Sequence, residues 1–227
     1  YNGFFVFALF GIFLNYFQDK IPQELLKKAD KFFILTNIAC IPAFALSILW
    51  SDVSIVFNFI GFIAALLQVI SLFYLTPLML NIITKNKFDN VKITILYIIN
   101  IAYTLKVFAQ LASAFPAIIQ KTIALKSYFI IGYLHLFTLL FMSLLLILLI
   151  QISLKSRLNF GGKLAFYIFL LSVLLSELLL FSQGFYIWIF EDIIPNFNWY
   201  NLLANVLLFS GLCFYYLYQF VLNYDDI

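Results

Sequence analysis

The stretch Tyr128-Phe-Ile-Ile-Gly-Tyr-Leu-His-Leu-Phe-Thr-Leu-Leu-Phe-Met142 decides the class of this chain. It lies within an apolar run from about 127 to 153, long enough to cross roughly 30 Å of hydrocarbon at ~1.5 Å per helical residue. Such a run is continuous rather than alternating, which excludes a β-barrel strand. About eight residues in from its start sits His135, the single histidine of the 227-residue chain. A titratable ring at that depth needs a partner, so it marks a functional site.

The same pattern recurs on both sides. Apolar runs cover about 1–17, 32–50, 53–80, 93–115, 127–153, 163–189 and 199–222. Hydrophobic residues make up 65% of the chain and charged residues 10%, whereas a soluble domain carries about a quarter charged. A soluble fold could not cover this much Phe, Leu and Ile, so lipid is the solvent for much of the surface. The expected fold is an all-α polytopic bundle of about seven spans in a single transmembrane domain, 1–227. The first run is short for a span and has no basic segment before it, which predicts a chain that starts part-way into a helix of a longer protein.

Charge orients the bundle. The first, third and fifth connections hold ten basic residues: Lys20, Lys27, Lys28, Lys31, Lys85, Lys87, Lys92, Lys155, Arg157 and Lys163. The second, fourth and sixth hold two, Lys121 and Lys126. Basic loops stay on the cytoplasmic side, so the C-terminal Asp225-Asp226-Ile227 is predicted to be cytoplasmic. Trp50, Trp188 and Trp199 then all fall at the outer interface, where amphipathic rings settle. Ile21 to Asp30 reads as a short amphipathic surface helix, with Pro22 in its first turn and a Glu24–Lys28 pair at i,i+4, or as a solvated loop. Gly161-Gly162 reads as a helix-connecting turn.

Three ionisable residues fall inside spans: Lys106, His135 and Glu177. Counting from the predicted helix ends places all three in the outer half of the membrane, at depths of roughly 12–18 Å. Gln110 follows Lys106 by one turn on the same face. Lys106 and Glu177 are candidates for an ion pair, either as structural glue or as part of a proton or ion path. For His135 the alternatives are a neutral imidazole bonded to a neighbouring helix and a haem ligand.

Other chemistry is poorly provided for. Cys40 and Cys213 lie in apolar runs without a Cys or His at ligand spacing, so they read as packing residues and no metal site is expected. There is no phosphate loop, dinucleotide fingerprint or serine elbow, and no basic face for nucleic acid. No catalytic residue is assigned.

The stretch around Gly132-Tyr133-Leu134-His135 resembles the tenth helix of the haem-copper oxidase catalytic subunit. That helix carries a His-x-His pattern, its first His on the high-spin haem and its second on the low-spin haem. Here Tyr133 takes the first place and His135 the second. The resemblance implies the C-terminal seven helices of a twelve-helix membrane subunit, a low-spin haem on His135 and a bacterial inner membrane. It covers about 15 residues. The family's copper-binding histidines have no counterpart in 1–17 or 32–50, so oxygen reduction is not implied. Three functions follow from the residues: a haem-holding subunit for electron transfer or gas sensing, a scaffold subunit bound to other membrane subunits or to upstream helices, and an ion- or proton-coupled transporter using Lys106, Gln110 and Glu177.

Overall fold

The computed structural model describes residues 4–49, 51, 54–122, 125–154 and 158–221. Trp50, Asp52, Lys155, Arg157 and the C-terminal Asp225-Asp226-Ile227, on which part of the charge and tryptophan reading rests, lie outside the described residues. The described chain is all-α: α1 (Phe4–Phe17), α2 (Gln23–Cys40), α3 (Phe44–Ile48), α4 (Ile55–Lys85), α5 (Asn90–Ser113), α6 (Pro116–Thr122), α7 (Lys126–His135), α8 (Leu144–Ser153), α9 (Phe160–Phe190) and α10 (Phe197–Tyr216). A π-helical stretch, Leu136–Ser143, joins α7 to α8, and another, Leu217–Val221, follows α10.

Among the described residues five helices are long and apolar enough to cross a bilayer: Ile55–Lys85, Asn90–Ser113, Tyr128–Ser153, Phe160–Phe190 and Phe197–Val221. They coincide with the last five apolar runs. The protein is thus a membrane-type helical bundle in contact with lipid. The first two runs differ. α1 has 14 residues, short of the ~20 that span hydrocarbon. The second run does not form one helix over 32–50. Its helix starts earlier, at Gln23, absorbing the amphipathic stretch, and stops at Cys40 before a turn over 41–43 and the five-residue α3. Pro42 accounts for the break: it has no N–H, and its ring crowds the carbonyl one turn back.

Local signals set the other boundaries. Ser54 caps α4, and Asp89 caps α5 by accepting from the Lys92 backbone N–H at 2.9 Å. Gly161 and Gly162 are not a connecting turn but the first turn of α9, because Asn159 Oδ1 accepts from the Gly162 N–H at 2.8 Å and starts the helix there. Glu191 (φ 56°) and Asn196 (φ 59°) take left-handed conformations at either end of the loop that folds α10 back along α9. Trp188 and Trp199 flank that loop.

The chain divides into two compact units, Tyr1–Ala124 with Leu140–Leu149, and Leu125–Leu139 with Ile150–Ile227. In the first, Phe10 is fully buried and meets Phe32, Tyr103 and Phe141 at centroid distances of 5.4–5.7 Å, uniting α1, α2 and α5. α4 packs against α2, α3 and α5. The second unit works by complementary sizes. Gly132 lies opposite Phe181, and Gly184 opposite Phe129, locking α7 to α9. At Gly211 the α10 backbone comes so close to α9 that an added Cβ would lie 2.7 Å from the Phe169 backbone nitrogen.

Gly211→Ala is therefore expected to destabilise the protein by roughly 1–3 kcal/mol, because backbone and not a flexible side chain must yield. Gly11→Ala, where a Cβ meets nothing within 4 Å, is expected to be neutral or slightly stabilising. Thermal unfolding of both variants in detergent checks the contrast.

Candidate functional site

The polar residues buried in the bundle fall into two groups, one in each unit. In the second unit His135 ends α7, at the junction with the π-helical stretch. π-Helical turns are rare and concentrate at functional positions, since an extra residue per turn redirects side chains. Across from it on α9 stands Glu177. His135 Nδ1 lies 3.7 Å from Glu177 Oε1, within ion-pair range though beyond a hydrogen bond. The glutamate side chain is 7% exposed and the imidazole 33%.

Glu177 belongs to a polar stripe on α9. Ser172, Ser176 and Gln183 recur at helical spacing and are buried, while Glu177 sits beside Ser176. Ser172 to Gln183 covers ~16 Å along the axis, about half the hydrocarbon thickness. Ser172 donates to the Ile168 carbonyl at 2.7 Å, and Gln183 Oε1 accepts from the Ile194 N–H of the loop at 3.2 Å. The Glu177 oxygens, Ser176 Oγ and Gln183 Nε2 carry no hydrogen bond among the described residues. A buried carboxyl and hydroxyl of this kind call for a proton or a water-mediated bond, because an unmet polar group in hydrocarbon is costly. Deeper along the same unit, Gln151 Nε2 donates to the Tyr215 hydroxyl at 3.0 Å.

The first unit holds Lys106 and Gln110 on α5, both buried. Lys106 Nζ donates to Gln68 Oε1 on α4 at 2.9 Å and stands 5.4 Å from the centre of the Tyr103 ring. Each has a neighbour within its own unit: Lys106 bonds Gln68, and Glu177 faces His135. A bond to an amide oxygen gives the lysine nitrogen a partner over a short reach.

No protein-family model, curated protein or solved structure matches this chain.

The structure thus joins His135 with Glu177 and keeps Lys106 and Gln110 together. It adds Gln68, Ser176 and Gln183, which sequence reading passed over. Each is a polar residue inside an apolar run, and that was the available signal. Cys213 is exposed on α10 rather than packed inside, and Cys40 is half-buried at the α2 break. Among the described residues no three His, Cys, Asp or Glu side chains converge as a metal site would require.

Because Gln68 and Lys106 satisfy each other, Gln68→Leu and Lys106→Met should not add. The double variant is expected to be more stable than the sum of the single effects by roughly 1–2 kcal/mol, read from a double-mutant cycle of unfolding in detergent.

Proposed function

We propose that this protein is a proton-coupled membrane transporter with seven crossings, whose proton-exchanging site is the His135–Glu177 pair. The observation that carries the reading is the meeting of two titratable side chains at 3.7 Å inside apolar spans. Carboxylate and imidazole groups in hydrocarbon mark proton relays, because either can take up a proton that the other releases. The stripe of Ser172, Ser176 and Gln183 extends the polar character of α9 on both sides of the glutamate. In the transport cycle, Glu177 would take a proton from the outer side and neutralise, and His135 would exchange it. Protonation would remove the cost of keeping a charged carboxylate in hydrocarbon, so proton uptake and release would bias the local helix arrangement.

In this reading α1 and the broken α2–α3 segment complete the seven crossings, with the lysine-bearing segments 18–31 and 85–92 at the cytoplasmic side. Broken helices at membrane depth are a recurrent feature of transporters.

A second reading has a specific observation behind it. With Nδ1 directed at a carboxylate, an imidazole presents Nε2 as a metal ligand, the arrangement that orients and strengthens haem-ligating histidines. His135 is also the residue that carries the haem-copper oxidase resemblance. On this reading His135 would hold a low-spin haem whose chemistry is electron transfer, with Glu177 orienting the ring and the second axial ligand supplied by another chain or segment.

Proteoliposomes separate the two. Glu177→Gln keeps the side-chain size and is expected to abolish proton flux through reconstituted protein while leaving it folded. Undiminished flux in that variant would sink the transporter reading. The haem reading predicts a Soret band in protein purified from haem-supplemented cells, lost in His135→Ala and retained in Glu177→Gln. For the orientation, a cysteine placed at Lys87 is expected to react with a membrane-impermeant maleimide only from the cytoplasmic face, and one placed at Glu191 only from the outer face.

A further inference from the structure

In the second unit α10 rests on α9 through one face, which carries the buried Ala204, Gly211 and Tyr215. Gly211 lies against the Phe169 backbone, and the Tyr215 ring stands 6.2 Å from the Phe166 ring. The rest of the helix is open. Of the five spanning helices this last one, Phe197–Val221, is the least covered: 17% of its most apolar stretch is buried, against 33–56% in the others. Lipid is a sufficient neighbour for its exposed Leu and Phe side chains. It is a poor one for a carboxamide.

Two independent features single out one side of this open surface. The first is Asn205, an exposed side chain six residues, or ~9 Å, along the span from Trp199. Beyond the first turns of the spanning helices, every other carboxamide among the described residues is buried or half-buried. Asn205 Nδ2 donates to the Asn201 carbonyl at 2.9 Å and to Asn201 Oδ1 at 3.2 Å. Its own Oδ1 accepts no hydrogen bond among the described residues. The second feature is the spacing around it. Asn198, Leu202, Asn205, Phe209, Leu212 and Tyr216 recur at alternating steps of four and three, and all six are exposed. Such alternation is the seam of a left-handed coiled coil. Asn198, Asn205 and Leu212 fall in one core row of that seam, and Leu202, Phe209 and Tyr216 in the other.

We propose that this stripe is a dimer interface at which α10 packs in parallel against α10 of a second copy of this chain. The amides select that occupant. A carboxamide both donates and accepts, so the same side chain on two copies can satisfy itself across a two-fold axis. Asn205 would give its second N–H to the partner's amide oxygen and receive the same bond in return. A single polar residue in a core row of this kind fixes register and favours a pair of helices. The stripe holds no charged residue, so it offers no ionic signature for a foreign helix. A two-fold axis along the membrane normal also keeps both copies in the same orientation and leaves each α9–α10 contact intact. The rings of Phe209 and Tyr216 supply the remaining packing, since between helices in lipid close contact and not burial drives association. The proposal is independent of the His135–Glu177 reading.

The whole chain, labelled separately with donor and acceptor fluorophores on a tag, is reconstituted in lipid vesicles over a range of protein-to-lipid ratios. Energy transfer is expected to saturate as a dimer does and to exceed random collision at low protein density. Asn205→Leu is expected to move the midpoint to about tenfold higher density, the effect of losing two interhelical amide bonds. Asn205 is exposed and bonds only within its own helix, so this variant should fold, which size-exclusion and far-UV circular dichroism verify. In a Cys40→Ala, Cys213→Ala background, Leu202→Cys and Phe209→Cys are expected to form disulfides between copies in the vesicles. Leu203→Cys and Leu207→Cys, exposed on the other side of α10, are expected not to. Energy transfer no greater than collision would mean that lipid alone covers the stripe and overturns the proposal. So does an unshifted midpoint in Asn205→Leu, or cross-linking as fast at 203 and 207 as at 202 and 209.

Discussion

Hydrocarbon offers no hydrogen-bond partners, and that constraint governs this structure from end to end. Each long apolar segment must satisfy its own backbone N–H and C=O groups, and the α-helix is the way a single segment does so. This is why five described helices of 24 to 31 residues account for the greater part of the chain. It also explains why the exceptions carry information. The turn after Cys40 falls at Pro42, with Ile41 and Phe44 exposed on either side, and the π-helical stretch after His135 keeps its backbone bonded while shifting register.

Lipid is as apolar as leucine, so burial of Leu and Ile supplies little drive for helices to associate with one another. Shape takes that role. In the first unit the rings of Phe10, Phe32, Tyr103 and Phe141 meet edge-on or tilted, geometries that match the charge distribution of aromatic faces and edges. In the second, glycines face phenylalanine rings or a neighbouring backbone, so close approach recovers dispersion contacts that side chains of equal size would forfeit. The abundance of phenylalanine, 29 residues, thus has two uses: interior rings that interlock, and outward rings such as Phe73 and Phe209 that meet lipid.

Polar groups then stand out by cost. Lys106 with Gln68, His135 with Glu177, and Gln151 with Tyr215 each pair two polar side chains across a helix boundary. The pairs differ in kind. Gln151 with Tyr215 is neutral and bonded at 3.0 Å, as structural glue requires. His135 with Glu177 is titratable on both sides and not closed by a hydrogen bond. Lys106 with Gln68 is bonded at 2.9 Å and lines a small cavity.

Composition and run length alone determined that this is an all-α membrane protein, because 65% hydrophobic residues in continuous runs have no other stable state. The last five spans were legible for the same reason, to within a few residues at their ends. So was the presence of Lys106, His135 and Glu177 inside spans, since an ionisable residue in an apolar run is conspicuous without any structure. Which of them meet was not legible. Pairing depends on which helix faces stand opposite one another, and uniformly apolar helices carry almost no periodicity to reveal a face. The tertiary structure alone decided that Glu177 turns to His135 and Lys106 to Gln68. It alone showed Pro42 dividing the second run, because hydropathy averages over the one residue whose missing N–H breaks the helix.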